Sequence, residues 1–180
     1  MDYPGILAAN LAIFAGTALI GILGYVVGSV FLSMIFAKAG VEGTWRAWVP
    51  VYNMMVFFKL GDLSPWLVLY GFGGAVLLSW IGIGFLFSLA LFVASGLAAY
   101  RIGLKLQTQP VWVVLWLIPI VWLGVMAFNK AHWNVAVAPA QWAGNAFLGD
   151  RTVWQGLPAQ RRDEPGHLNQ AAWPQPEYPQ

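Results

Sequence analysis

The sequence predicts an all-α fold: a polytopic helical membrane protein with about four transmembrane helices, one interfacial or re-entrant segment and a flexible carboxyl-terminal tail. Three observations carry this. Of 180 residues, 59% are hydrophobic and 9% charged, with a mean hydropathy of +0.67; soluble domains carry roughly 25% charged residues, and a soluble fold of this size has no interior large enough for so much apolar surface. No charge occurs between Asp2 and Lys38, nor between Asp62 and Arg101. The long interruption between those runs, Gly40 to Asp62, crowds Trp45, Arg46, Trp48, Pro50, Tyr52 and Asn53 together.

The same composition excludes several classes. Nine basic residues spread along the chain, at a net charge of +2, make no nucleic-acid footprint. Cysteine is absent, which removes disulfides, thiol chemistry and cysteine-ligated metals. The start has no Lys or Arg before an apolar run too long for a cleaved leader, so no secretory signal peptide is expected.

Residues 1–133 form the membrane domain in this reading. A bilayer core of ~30 Å needs about 20 apolar residues, so the first charge-free run holds one span, residues 7–36. Gly24 and Gly28 form a GxxxG pair in it, which permits close backbone approach between helices in lipid. Two uses stand open: packing inside the chain, or a face for a homo-oligomer or a membrane protein partner.

The interfacial segment, residues 40–62, follows. Trp and Tyr favour the membrane–water boundary because a large ring carries one polar atom, and Pro50 interrupts any helix through the segment. Asn53 is its polar outlier. An amide at membrane depth takes a carbonyl freed by a nearby proline, or, with Tyr52, lines a path for a substrate.

Ser64-Pro65 opens the next helix, with proline at the first position where its missing donor costs nothing. As one helix, the interval to Arg101 would run to about 57 Å, so it is split into spans 66–80 and 83–100 around Trp80 and Gly82; one long kinked helix is the alternative. The first of the two spans is short and loosened by Gly71, Gly73 and Gly74. Pro110 then opens the last span, residues 111–128, kinked at Pro119. Residues 134–180 are rich in Pro and Gln and are expected to be flexible. Trp142, Phe147, Trp154 and Trp173 stand out there, as docking motifs for a partner or as a strip lying on the membrane.

Four spans place Lys38, Arg46 and Lys59 on one side with Arg101 and Lys105. The positive-inside rule makes that side cytoplasmic, with both termini and the tail outward. Three spans would send the tail inside and Arg101 and Lys105 outside.

The stretch from Lys38 to Asn53, with Ala39, Gly40, Gly43, Trp45, Ala47, Pro50 and Tyr52 as its fixed points, resembles a family of small, uncharacterised bacterial multi-pass membrane proteins. That family has a K-A-G-x-x-G-W-x-A-x-x-P-x-Y-N pattern; this chain has one extra residue, Thr44. Pro65-Trp66, Arg101, Gly103 and Pro119 match the family more loosely. A related segment precedes some type I signal peptidase domains. The resemblance covers roughly Ser29 to Asn129 and implies a multi-pass protein of the cell membrane. It implies no peptidase activity, which needs a serine nucleophile beside a lysine base; the serines here lie in or beside apolar runs without such a lysine.

No enzyme is expected. His132 and His167 are far apart with no acid at ligand spacing, and no catalytic, cofactor or metal site is read anywhere. The deep spans hold no ionisable group, which transport paths generally use. The expectation is an accessory, scaffold or assembly component of a membrane complex, with a small permease or lipid-interacting protein as the alternative. Its surroundings are the lipid bilayer, and its candidate interface is Trp45, Arg46, Trp48, Pro50, Tyr52 and Asn53.

Overall fold

The first charge-free run folds as one helix, α1 (Tyr3–Lys38), because its one proline, Pro4, sits in the first turn where no backbone bond is lost. The structure, a computed structural model, describes residues 3–150 and 152–157; His167, Trp173 and the charge cluster of residues 160–167 lie outside the described residues. At 36 residues α1 is about 54 Å long. Every residue from Tyr3 to Val27 is exposed, and the buried residues of α1 all lie in its last third. A left-handed Gly40 (φ 74°) stops the helix, with Val41 N–H returning to Phe36 O at 2.9 Å; glycine adopts this αL stop without a Cβ penalty.

The chain then folds back beside α1. A short 3-10 helix, Thr44–Trp48, runs along it, and Tyr25 Oη donates to Trp48 O at 2.9 Å. A tight turn at Pro50-Val51 reverses the direction, and α2 (Tyr52–Leu60) returns. Segment 40–62 is therefore a helical hairpin, and α2 is buried from Met55 through Leu60.

Next comes α3 (Trp66–Leu77), which leads away to a 3-10 turn at Ser79–Ile81; Gly82 reverses the chain and α4 (Gly84–Lys105) returns. Residues 66–105 are thus a hairpin and not one kinked helix. Its glycines tighten it where the sequence suggests loosening. A Cβ on Gly74 would collide with the Phe87 ring, and one on Gly71 would lie 3.1 Å from Leu91, while Gly73 faces open space.

Residues 111–128, expected as one span kinked at Pro119, form two separate helical elements. A 3-10 helix, Pro110–Leu117, descends along α4 until Trp116 Nε1 donates to Ser95 Oγ at 3.1 Å. Pro119 begins a separate helix, α5 (Pro119–Phe128), which climbs back along α1. Ile120 Cδ1 would be 3.9 Å from a Cβ on Gly28, the Phe128 ring meets Phe31 edge-on at 5.7 Å, and Lys38 Nζ donates to Met126 O and Asn129 O. Thr108 Oγ1 and Met126 Sδ, one from each arm, are 3.9 Å apart. Both arms therefore open at the same end, and the chain enters and leaves the bundle there. The reason is that Pro110 and Pro119 each suit the first turn of a helix and not its interior, so the apolar run forms two short elements.

One end of the bundle consequently collects Lys38, Lys59, Arg101 and Lys105, and is called the basic end. The described part of the tail, expected to be flexible, lies on this end. Asn134 N donates to Lys105 O at 2.7 Å, Ser64 N to Leu148 O at 2.9 Å and Glu42 N to Gly156 O at 2.7 Å. Composition reads this stretch as flexible because it lacks periodicity, yet its aromatic and polar groups find partners on distant helices.

Candidate functional site

The basic end is built around Asp62. It follows α2 in the left-handed conformation (φ 59°), with Leu63 N–H returning to Phe58 O at 2.9 Å. Asp tolerates that conformation better than most residues, and here its carboxylate meets two cations. Arg101 donates through Nε and Nη2 to Asp62 Oδ2 at 2.8 and 2.6 Å, and Lys105 Nζ to Oδ1 at 2.5 Å. One helical turn separates Arg101 from Lys105, so α4 presents both on one face. Each cation also reaches a carbonyl, Arg101 that of Ala138 and Lys105 that of Leu60, both at 2.7 Å. All three side chains are buried. Lys105 Nζ further lies 5.6 Å from the centre of the Trp133 ring.

Residues 145–150 and 152–157 form a strap across this end, running antiparallel to segment 42–64. Leu63 and Gly149 form an isolated β-bridge. Buried Lys59 donates to Asp150 Oδ2 and to Thr152 O, while Asp150 Oδ1 accepts from Thr152 N and Oγ1. Just ahead of the strap, Trp142 Nε1 donates to Asp62 O at 2.9 Å, tying its approach to the same acid.

The residues singled out from sequence divide between two roles. Tyr52 is stacked between Trp45 (6.2 Å) and Trp154 (5.6 Å), and Arg46 Nη2 donates to Gln155 O at 3.0 Å. Tyr52 and Arg46 therefore hold the strap, with Trp45 behind them. Trp45 and Trp48 remain 60% and 44% exposed, which leaves each ring free to meet a boundary. Asn53 is buried, and its Nδ2 donates to Ala47 O at 3.2 Å. In a 3-10 turn that carbonyl would meet the amide of residue 50, which proline lacks. The turn beneath is tight: Val51 has φ 65° and ψ −51°, with Tyr52 N bonded to Pro50 O at 2.7 Å. That is a γ-turn, strained for a β-branched residue.

Gly24 and Gly28 are not brought together with this site. Nothing lies within 4 Å of a Cβ built on Gly24, and only Ile120 approaches Gly28. Among the described residues, no group of three or more acids or histidines could hold a metal ion. Sequence reasoning does not single out Asp62, Lys59, Arg101, Lys105 and Asp150 as a site. Their signal is a basic pair one turn apart and an isolated Asp after an apolar helix. No family model matches the chain, and neither a curated protein nor a solved structure matches it.

Proposed function

We propose that this protein is a multi-pass accessory or scaffold component of a membrane complex. The observation that supports the reading most is α1: all residues from Tyr3 to Val27 are exposed and for the most part apolar, although Tyr25 near the end of that stretch bonds to Trp48 O. Two helices, α1 and α4, are long and apolar enough to cross a membrane. The hairpin of α3 and α4 would add a crossing in each direction, giving three with α1. The hairpin made with α5 reaches inward only as far as Ser95 and Gly28, about ten residues or ~15 Å from Lys105 and Lys38, half the hydrocarbon thickness. In this topology every described Lys and Arg lies toward one end, which the positive-inside rule makes cytoplasmic, and the strap is cytoplasmic with them. It differs from both the four-span and the three-span topologies read from sequence.

A helix of about 54 Å beside an α4 of about 33 Å extends well past its neighbours, and a partner's apolar surface would cover the excess. The same features suit the uncharacterised multi-pass family that the Lys38–Asn53 stretch resembles. The permease alternative is less well supported, because Phe57, Trp116 and Trp122 pack between the two hairpins at 5.2–6.1 Å and fill the space a polar path needs. The test is affinity purification in mild detergent. A partner recovered at fixed ratio, and lost when Gly24→Leu blocks the open face of α1, is the expected result. Solute flux in proteoliposomes without any such partner would overturn the reading in favour of a permease.

A further inference from the structure

The strap is held as a ligand is held. Apart from the bridge at Gly149 its described residues form no helix or strand, and most of its fixed points are supplied by segment 42–64, with Tyr70 of α3 stacking on Phe147. Leu148 O accepts from Ser64, Asp150 enters the Lys59 pocket, Trp154 stacks on Tyr52, and Gly156 O accepts from Glu42. Backbone bonds for affinity combined with separate side-chain pockets for identity are the means by which proteins recognise extended peptides. The attachment also favours selectivity over permanence. A buried ion pair such as Lys59 with Asp150 (1% and 4% exposed) gives little net stability, because desolvation offsets the attraction, yet it strongly disfavours a partner lacking the acid. Leu157 is buried in the core and Phe147 stacks on Tyr70 at 6.1 Å, yet Phe147 and Val153 remain 60% and 59% exposed, so part of the strap's apolar surface is left out of the docking.

We propose that segment 42–64 is a docking groove for an extended peptide with an acidic residue four positions before a tryptophan, and that the strap occupies it in cis. A cytoplasmic segment of a partner protein with that pattern is the trans ligand. Lys59 reads the acid, Tyr52 reads the aromatic ring, and the backbone groups of Glu42 and Ser64 fix direction. The inference rests on the accessory reading above and names the partner class for it.

The experiment uses the full chain with a protease site inserted at Val135, purified in detergent and then cleaved, so that the strap stays in place without its covalent link. Excess fluorescent peptide with the sequence of residues 145–157 is expected to displace the strap. Peptides with Asp150→Asn or Trp154→Ala are expected to compete about tenfold or more weakly, and the uncleaved chain to bind the labelled peptide more weakly than the cleaved one. A strap that stays bound for hours under excess peptide, a cleaved chain that unfolds, or equal competition by the Asp150→Asn peptide would each overturn the proposal. Exchange in a protein with no copurifying partner would leave the groove standing and remove the accessory reading. A partner recovered without exchange would do the reverse.

Discussion

Asp62→Asn separates charge from shape at the centre of the basic end. The amide has nearly the same volume and tolerates the left-handed backbone at least as well, so the perturbation is the loss of one negative charge facing Arg101 and Lys105. Both cations are buried, at 7% and 5% exposure. Removing one partner of a buried ion pair costs about 3–5 kcal/mol, because the remaining charge is left uncompensated. Arg101 keeps Ala138 O, and the partners of Lys105 still include Leu60 O and the Trp133 ring, which places the expected loss near the lower figure, about 3 kcal/mol. For a chain of this size that is a fall of roughly 6–12 °C in Tm. The assay is thermal unfolding in detergent, with Lys130→Gln, an exposed position, as a control expected to change by no more than about 0.5 kcal/mol. Asp62→Gly is the second arm: it relieves the backbone but also removes the carboxylate, so it should be destabilised as well. A fall of under about 1 kcal/mol for Asp62→Asn, or recovery in Asp62→Gly, would refute the idea that charge neutralisation holds this end together.

Gly61→Ala should destabilise by about 1–3 kcal/mol, since the new Cβ would sit 2.5 Å from Ala98 Cα and backbone cannot yield as a side chain does; an unchanged Tm would show that α2 and α4 are less closely apposed. Single cysteines at Gly144 and Lys130 should resist a membrane-impermeant maleimide in intact cells while one at Ser79 labels, and labelling at Gly144 would restore an outward tail. Asn53→Leu should cost about 1–3 kcal/mol by leaving Ala47 O unsatisfied, and Pro50→Ala, which restores a backbone donor, should recover part of that loss. Purely additive effects of those two substitutions would count against the shared carbonyl.

Elements governed by local chemistry are legible in the sequence. The helix of α1 follows from a run without charge or interior proline, the hairpin between α3 and α4 from a length too great for one crossing and from Gly82, and the break in segment 40–62 from Pro50. What hydropathy does not register is direction. Residues 111–128 are uniformly apolar, and a window that sums them scores one crossing whether the chain continues or doubles back. The reversal depends on Ile118-Pro119 and on Trp122 turning edge-on to Trp116 at 85°. Those rings are ordered against Phe57, far away in sequence, which stacks on Trp116 at 5.3 Å and meets Trp122 edge-on at 6.1 Å.

The charges mislead for a related reason. Read along the chain, Lys59, Arg101 and Lys105 mark a boundary, since a lone cation belongs in water. Folded, all three are buried, and their partners include Asp62 for Arg101 and Lys105 and, for Lys59, Asp150 from the tail. Local composition says that residues 145–157 cannot build a core of their own. It does not say that the rest of the chain has built one for them, with a cation for the acid and a stacked ring for the tryptophan. A segment poor in periodicity but rich in aromatic and acidic residues has no reason to fold alone and every reason to dock where a basic, aromatic surface is already in place. On the proposed reading the basic residues serve two ends at once: they keep one end of the bundle positive, which would orient it in a membrane, and they supply the specific contacts that hold the strap. Asp150→Asn separates the two. Protease should then cut the full chain in detergent faster within residues 145–157, because Lys59 has lost the acid that draws the strap in, while the maleimide pattern at Gly144, Lys130 and Ser79 stays as it was. Unchanged cleavage would show that Lys59 does not hold the strap through that acid, and an altered labelling pattern would show that docking and orientation are one property and not two.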